Sequence, residues 1–345
     1  MLNLSRKRII VTNKDENASK KLKKESFMLK KSYYLLTLVF CILGLSVLPI
    51  YSSAVSVSSE EPIMMAYYRT WRDVTMPHDA NSNLPDENVT AMTDIPENVD
   101  IVSVFHYVNP GTNQQKFWDT LKDSYVPTLH ARGTRVIRTI DIRELLNVTH
   151  AGTKPTEAEY DAYAQKLIAT YLTPWNLDGL DIDMESTLTA SQEEMATGVF
   201  KALAKYLGPK SNSGKLLIYD TNKDNHTLFK NVAAYCDYLF LQAYGRSTSS
   251  LDRTWDTYKQ SITTNQFLPG ISFPEEQDRN IWNDTIEPYE TSRAYSYAMW
   301  NPKDGAKGGM FVYAIDRDGK QYGDDTITKT NFSWTKRLIN TMKDN

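Results

Sequence analysis

Short apolar runs alternate along this chain with longer segments in which apolar positions recur at helical spacing. Eight runs have the length and the β-branched or aromatic content of strands: Ile63–Tyr68, Ile101–Tyr107, Arg135–Ile140, Gly179–Glu185, Lys215–Asp220, Tyr238–Tyr244, Phe267–Ser272 and Gly308–Tyr313. Helical patterns cover Gln114–Arg132, Thr156–Leu172, Ser191–Leu207, Leu228–Tyr235, Leu251–Thr264, Tyr289–Met299 and Phe332–Met342. Thr156 with Glu159 gives one of them a capping-box start. Strands that are apolar nearly throughout belong to a parallel sheet covered on both faces. Eight strand–helix units therefore predict an α/β fold, a single (β/α)8 TIM barrel. A doubly wound sheet is the alternative, but no Gly-rich phosphate turn follows the first strand. The stretch from Arg69 to Asp100 holds Pro77, Pro85, Pro96 and many Asn and Asp, so it reads as a long loop.

One strand breaks the apolar rule. Residues 177–185 read Leu-Asp-Gly-Leu-Asp-Ile-Asp-Met-Glu. With a period of two, Asp181, Asp183 and Glu185 share one face, and Leu180, Ile182 and Met184 share the other. Carboxylates crowded on one face repel, which favours a protonated carboxyl of the kind that acid catalysis needs. Asp181 and Asp183 are expected to share a proton, so that their titrations belong to the pair. A calcium loop would also be acid-rich, but it needs turn-forming residues and a Gly between its ligands, where this chain has Leu, Ile and Met.

The pattern Asp178-x-x-Asp181-x-Asp183-x-Glu185 resembles the signature of glycoside hydrolase family 18, which contains chitinases and endo-β-N-acetylglucosaminidases. The resemblance implies a (β/α)8 barrel with the acid at the end of its fourth strand. It implies retaining, substrate-assisted hydrolysis, an exception to the usual pair of carboxylates. Glu185 would be general acid and then base, and Asp183 would orient the 2-acetamido group of the sugar. Tyr244 would hold the acetamido carbonyl, Asp181, Gln242, Tyr313 and Tyr67 would bind substrate, and Tyr67 would stand beneath the acidic cluster. No cofactor and no metal are implied.

Other strand ends bear on the subfamily. A chitinase usually has Met-x-Tyr followed by Asp or Asn in the sixth strand, whereas here the residues are Gln242-Ala243-Tyr244-Gly245. Gln-x-Tyr resembles the endo-β-N-acetylglucosaminidases that cut the chitobiose core of N-glycans. The third strand lacks the chitinase Ser-x-Gly-Gly, and Tyr313 stands where a chitinase generally carries Trp as the floor of the sugar site. The expected substrates are therefore glycoprotein N-glycans or other GlcNAc-containing glycans. A chitooligosaccharide hydrolase and a glycan-binding lectin on the same barrel are the alternatives. Trp71, Trp255, Trp282 and Trp300 fall in expected loops or at element ends, where they could stack on sugars. Asp316-Arg317-Asp318-Gly319 reads as a turn after the eighth strand, within reach of a glycan.

The N-terminus has a separate logic. Lys30 and Lys31 precede an apolar run from Leu35 to Leu48, and Ser52-Ser53-Ala54 follows. Residues 28–54 thus read as a secretory signal peptide, removed from an extracellular protein. The run is shorter than the ~20 apolar residues of a membrane span, and no stable membrane association is expected after cleavage. Residues 1–27 are polar and aperiodic, so the expected start is Met28, with an upstream extension that is not translated. Residues 55–345 then form the catalytic domain, expected to be a monomer. Its 29 basic and 39 acidic residues leave a net charge near −10, which excludes nucleic acid as a partner class. Only Cys236 remains in that part, so no intrachain disulfide can form. His78, His106, His130, His150 and His226 have no ligand spacing.

Overall fold

The computed structural model describes residues 61–77, 83–84, 86–105 and 114–345. The expected leader, the extension before it, His78, Pro85 and His106 lie outside the described residues. Eight parallel strands close into a barrel in chain order: β1 Ile63–Arg69, β2 Ile101–Phe105, β3 Arg135–Asp141, β4 Gly179–Asp183, β5 Leu216–Thr221, β6 Tyr238–Gln242, β7 Phe267–Ser272 and β8 Gly309–Tyr313. The last strand pairs with the first, Met65 opposite Phe311. The expected (β/α)8 barrel is therefore the observed fold. Among the described residues, no helix is long and apolar enough to cross a membrane.

Strand periodicity sorts the core into two layers. Inward residues Ile63, Met65, Ile101, Ile137, Ile218, Phe240, Leu268 and Phe311 fill the barrel. Outward residues, Leu180, Ile182 and Met184 among them, pack beneath the helices in a larger cluster. Fully burying one such aliphatic side chain contributes ~1.5–3 kcal/mol. Gly270 on β7 is required by the inner layer. A Cβ there would sit 2.1 Å from the Phe311 ring, which crosses the barrel interior at that level.

Several elements differ from expectation in their bounds. The segment Gln114–Arg132 is not one continuous α-helix. Helix Gln115–Thr120 passes through a π turn, Leu121–Tyr125, into helix Val126–Ala131. Pro127 has no N–H to continue the ladder, and the widened turn accommodates it. Helix Thr248–Tyr258 starts earlier than its apolar stripe because Ser247 caps it, accepting from the Ser250 N–H. Helix Glu157–Tyr171 has the expected box, with Thr156 N–H donating to Glu159 Oε2 at 2.7 Å. Two strands stop short. β4 ends at Asp183 and β6 at Gln242, so Glu185 and Tyr244 lie just past the ladder. After β6 the chain turns at Gly245, whose φ of +71° is left-handed, and Arg246 N–H donates to Ala243 O.

Asp178, the first acid of the motif, lies at the opposite end of the barrel from the others. Its Oδ2 accepts from Val136 N–H and contacts His130 Nε2, both at 2.7 Å, joining β3 to the entry of β4. Contacts at that N-terminal face of a barrel serve stability, since the chemistry of such barrels sits at the other end.

Candidate active site

At the C-terminal ends of the strands the barrel filling turns polar. Tyr67 on β1 donates its hydroxyl toward Asp181 Oδ2 at 2.8 Å and toward Asp220 Oδ2 at 2.9 Å. Thr139 on β3 donates to the same Asp181 oxygen at 2.8 Å, with Ser103 on β2 behind it at 2.5 Å. The Gln242 amide on β6 donates to Asp220 Oδ2 at 3.1 Å and Asp183 Oδ1 at 3.3 Å. With two carboxylates on its Nε2, Gln242 turns its carbonyl oxygen away from the acids. Glu185 is exposed, and its Oε2 accepts from Asn222 Nδ2 at 3.0 Å.

Burial governs the charge in this cluster. Asp181 is fully enclosed, which pushes its carboxyl up to about 7 despite the Tyr67 and Thr139 hydroxyls; the Asp183 charge adds to the rise. Asp220, 2 % exposed, is also held well above the carboxylate range, by burial first and then by the charges of Asp181 and Asp183. Asp181 Oδ1 and Asp220 Oδ1 are buried with no donor among the described residues, as fits oxygens that carry or share a proton. Asp220, which the strand pattern did not bring in, is thus a second buried carboxyl held above its usual range beside Asp181. Burial and Asp220 likewise push the Tyr244 phenol well above its usual value, so it remains a hydrogen-bond donor at neutral pH.

These groups face a cleft of about 480 Å³ lined by Tyr67, Asp183, Glu185, Gln242, Tyr244 and Tyr313, together with residues that strand reading did not single out. Six of the seven candidate residues thus line one cleft, and Asp181 supports it from below. Tyr313 packs edge-on against Phe105 at 5.5 Å and lies 6.2 Å from Tyr244, so the wall is aromatic. Trp282, 42 % exposed, stands 6.2 Å from Tyr244 at the rim. The other tryptophan candidates have different places. Trp71 packs 6.0 Å from Phe105, and Trp255 and Trp300 are buried against Phe267. The turn after β8 does not reach outward. Asp316 pairs with Arg69, Arg317 Nε donates to Pro274 O, and Asp318 accepts from the N–H groups of Trp334 and Thr335.

Asp220, Asn222, Phe105, Arg246 and Asn280 were not singled out from the sequence. A signal existed for Asp220, a lone acid directly after the apolar run Leu216–Tyr219. Asn222 follows it at period two. Among the described residues, no group of three or more His, Cys, Asp and Glu side chains is arranged to hold a metal ion.

The raised Asp181 carboxyl has a thermodynamic consequence. Its folded value of about 7 exceeds the unfolded value, near ~3.9. The folded state binds the extra proton between these values, so stability falls as pH rises through that window and the full penalty is present above it. Asp181→Asn removes the penalty. The variant is expected to gain roughly 2–4 kcal/mol relative to the native chain at pH 8 over what it shows at pH 4. Thermal melts at the two pH values check this; an equal shift at both would exclude it.

The chain matches the family model described as the endo-beta-N-acetylglucosaminidase EndoS TIM-barrel domain over residues 66–312. It is 43% identical over 293 residues to an endo-beta-N-acetylglucosaminidase of Bifidobacterium longum subsp. infantis, covering 80% of this chain and 53% of that protein. The chain thus spans about half the length of that relative. It is 42% identical over 290 residues to endo-beta-N-acetylglucosaminidase F2 of Elizabethkingia meningoseptica, covering 83% of each. Among solved structures, an endo-beta-N-acetylglucosaminidase from Cordyceps militaris superposes with a TM-score of 0.74 at 43% identity, covering 82% of this chain and 91% of that one. That structure is of a variant in which an Asp and the Glu two positions later are changed to Asn and Gln, in complex with fucosyl-N-acetylglucosamine-Asn. The spacing is that of Asp183 and Glu185. The chain belongs to the family of the endo-beta-N-acetylglucosaminidase EndoS TIM-barrel domain.

Proposed function

We propose that this chain hydrolyses the GlcNAc-β1,4-GlcNAc bond in the chitobiose core of N-linked glycans, with retention and with help from the substrate's own acetamido group. The observation that carries the reading is the exit of β4. Asp183 and Glu185 enter one cleft two residues apart, with Gln242 donating to the first and Asn222 to the second. In this reading Glu185 protonates the glycosidic oxygen as the bond to the anomeric carbon breaks. The acetamido carbonyl oxygen bonds to that carbon and forms an oxazolinium ion. Asp183 accepts the acetamido N–H and offsets the developing positive charge. Tyr244 donates to the acetamido oxygen, and Tyr313 offers its ring to the sugar face. Water then adds to the anomeric carbon as the bond from that carbon to the acetamido oxygen breaks, and Glu185 takes the water proton, restoring the acid and the acetamido group.

Asp183→Asn is expected to separate the two halves of this reaction. Loss of the charge slows oxazolinium formation by roughly 10²–10³-fold, while a pre-made sugar oxazoline skips that step. The variant should therefore transfer glycan from a supplied oxazoline to a GlcNAc acceptor while degrading the product slowly. Equal loss of hydrolysis and transfer would rule out the assigned role.

Choice among high-mannose, hybrid and complex glycans is assigned to the loops Arg69–Asp100 and Phe273–Glu287. The second holds Gln277, Asp278, Asn280 and Asn283 in left-handed backbone conformations and presents Trp282 to the cleft. Residues 28–54 are assigned to export on their leader pattern. The test of the function is mass spectrometry of ribonuclease B, a carrier of high-mannose glycans, after exposure to residues 55–345. One GlcNAc left on each glycosylated Asn supports it. Inertness toward this and complex-type glycoproteins, with cleavage of chitin oligomers, would overturn it.

A further inference from the structure

Glu185 lies outside the sheet, so the β-ladder does not fix it. β4 ends at Asp183, and the next backbone bond is Met184 N–H to Asp220 O at 2.8 Å. Beyond that point the chain around Glu185 is held by three consecutive residues at the exit of β5. Thr221 Oγ1 donates to Met184 O at 2.7 Å, Asn222 Nδ2 donates to Glu185 Oε2 at 3.0 Å, and Lys223 Nζ donates to Ser186 O at 2.5 Å. Each residue of one tripeptide thus takes one residue of the other.

The brace is anchored in turn. The Arg246 guanidinium donates to the Asn222 carbonyl oxygen, tying it to the exit of β6. Tyr258, with no exposed surface, donates its hydroxyl to Lys223 O at 2.7 Å. An exposed glutamate on a free turn would sample several rotamers, and ordering it would cost entropy in every turnover. An exposed glutamate whose neighbours and one oxygen are clamped does not.

The chemistry of the amide adds a direction. Asn222 Nδ2 can only donate, so the oxygen that it meets is best kept as the unprotonated member of the carboxyl. Resting on the glycosidase reading of Glu185, we propose that Asn222 is a positioning residue for the acid. Its amide engages Oε2 and leaves Oε1 as the oxygen that delivers and recovers the proton, while Thr221 and Lys223 clamp the backbone on either side. No step of the reaction passes through Asn222 itself.

The test uses Asn222→Ala and Asn222→Asp in the full chain, with Glu185→Gln as control. Asn222→Ala is expected to lower kcat about 10–100-fold, the effect of a displacement of about an ångström in a reacting group, with KM and Tm nearly unchanged. Asn222→Asp places a second carboxyl against Glu185. It should move the pH–rate profile upward, because facing carboxyls hold a proton between them. The 13C carboxyl resonance of Glu185, assigned by its loss in Glu185→Gln, should shift in both variants. This readout needs no turnover, so it judges the brace even if the native chain cleaves no glycan and the functional reading fails. An unchanged resonance with kcat within about twofold of native would overturn the proposal. So would kcat and Tm falling together with an unmoved pH profile in Asn222→Asp.

Discussion

Glu185→Gln is expected to abolish glycan hydrolysis, with kcat falling by roughly 10²–10⁴-fold for the loss of a general acid and further because the same carboxyl serves as base in the second step. The substitution preserves volume, and the carbonyl oxygen of Gln can still accept from Asn222. The cleft walls, Tyr313, Tyr244 and Phe105, do not depend on Glu185 for their packing, since they contact each other. Glycan affinity should therefore stay within a few-fold, and the loss should appear in kcat with little change in KM. Unlike Asp183→Asn, this variant should also hydrolyse a supplied oxazoline slowly, because no base remains to take the proton from water. Isothermal titration with intact glycopeptide, beside turnover measured by mass spectrometry, separates the two effects. Retention of more than a few percent of native kcat would move the acid role away from Glu185.

What made Glu185 readable was local. Period-two alternation from Gly179 to Glu185 puts three acids on one face whatever the rest of the chain does. The same periodicity placed Gln242 and Tyr244 together, and short apolar runs marked all eight strands. Supporting groups were less legible, because what makes them functional is a partner distant in sequence. Asp220 is one acid in an apolar strand until Tyr67, 153 positions earlier, and Gln242, 22 positions later, converge on it. Asn222 is an ordinary post-strand polar residue until the exit of β4, 37 positions earlier, folds against it. The aromatic residues show the opposite error. Trp255 and Trp300 were candidates for stacking on sugars, yet their indole N–H groups are satisfied by Asp304 and Asp252 and their rings fill the core. Composition does not distinguish them from Trp282, because burial is decided by which helix face closes over each ring.

The second large effect concerns stability, and it follows from Arg69, which ends β1 with no exposed surface. Its guanidinium meets Glu275 at 2.6 Å, Glu276 at 3.0 Å and Asp316 at 2.5 Å. Arg72 and Arg317 reach the same Glu276 at 3.1 and 3.6 Å. Three cations thus face three carboxylates in a buried network that ties the exits of β1, β7 and β8 together behind Tyr313. Glu276 shows the sense of the coupling. Burial alone would raise its carboxyl, yet the Arg69 charge and hydrogen bonds overcome burial and hold it at about 2. Arg69→Met keeps much of the apolar stem and removes the cation, which strands Asp316 and Glu275 beside each other in a dry site. Breaking one side of a buried network in this way costs about 3–5 kcal/mol, and a lowering of Tm by roughly 10 °C is expected for a chain of this size. The pH dependence fixes the cause. A carboxylate depressed in the folded state contributes stability above its unfolded value, near ~4.3, and that contribution is lost as pH falls toward 2. The native chain should therefore lose stability steeply between pH 4 and pH 2. The Met variant, with Glu276 less depressed, should start lower at pH 7 and fall less over the same interval. If the two melting curves ran parallel with pH, the loss would come from packing around the Arg69 stem, and the ion network would not be what holds the three strand exits in place.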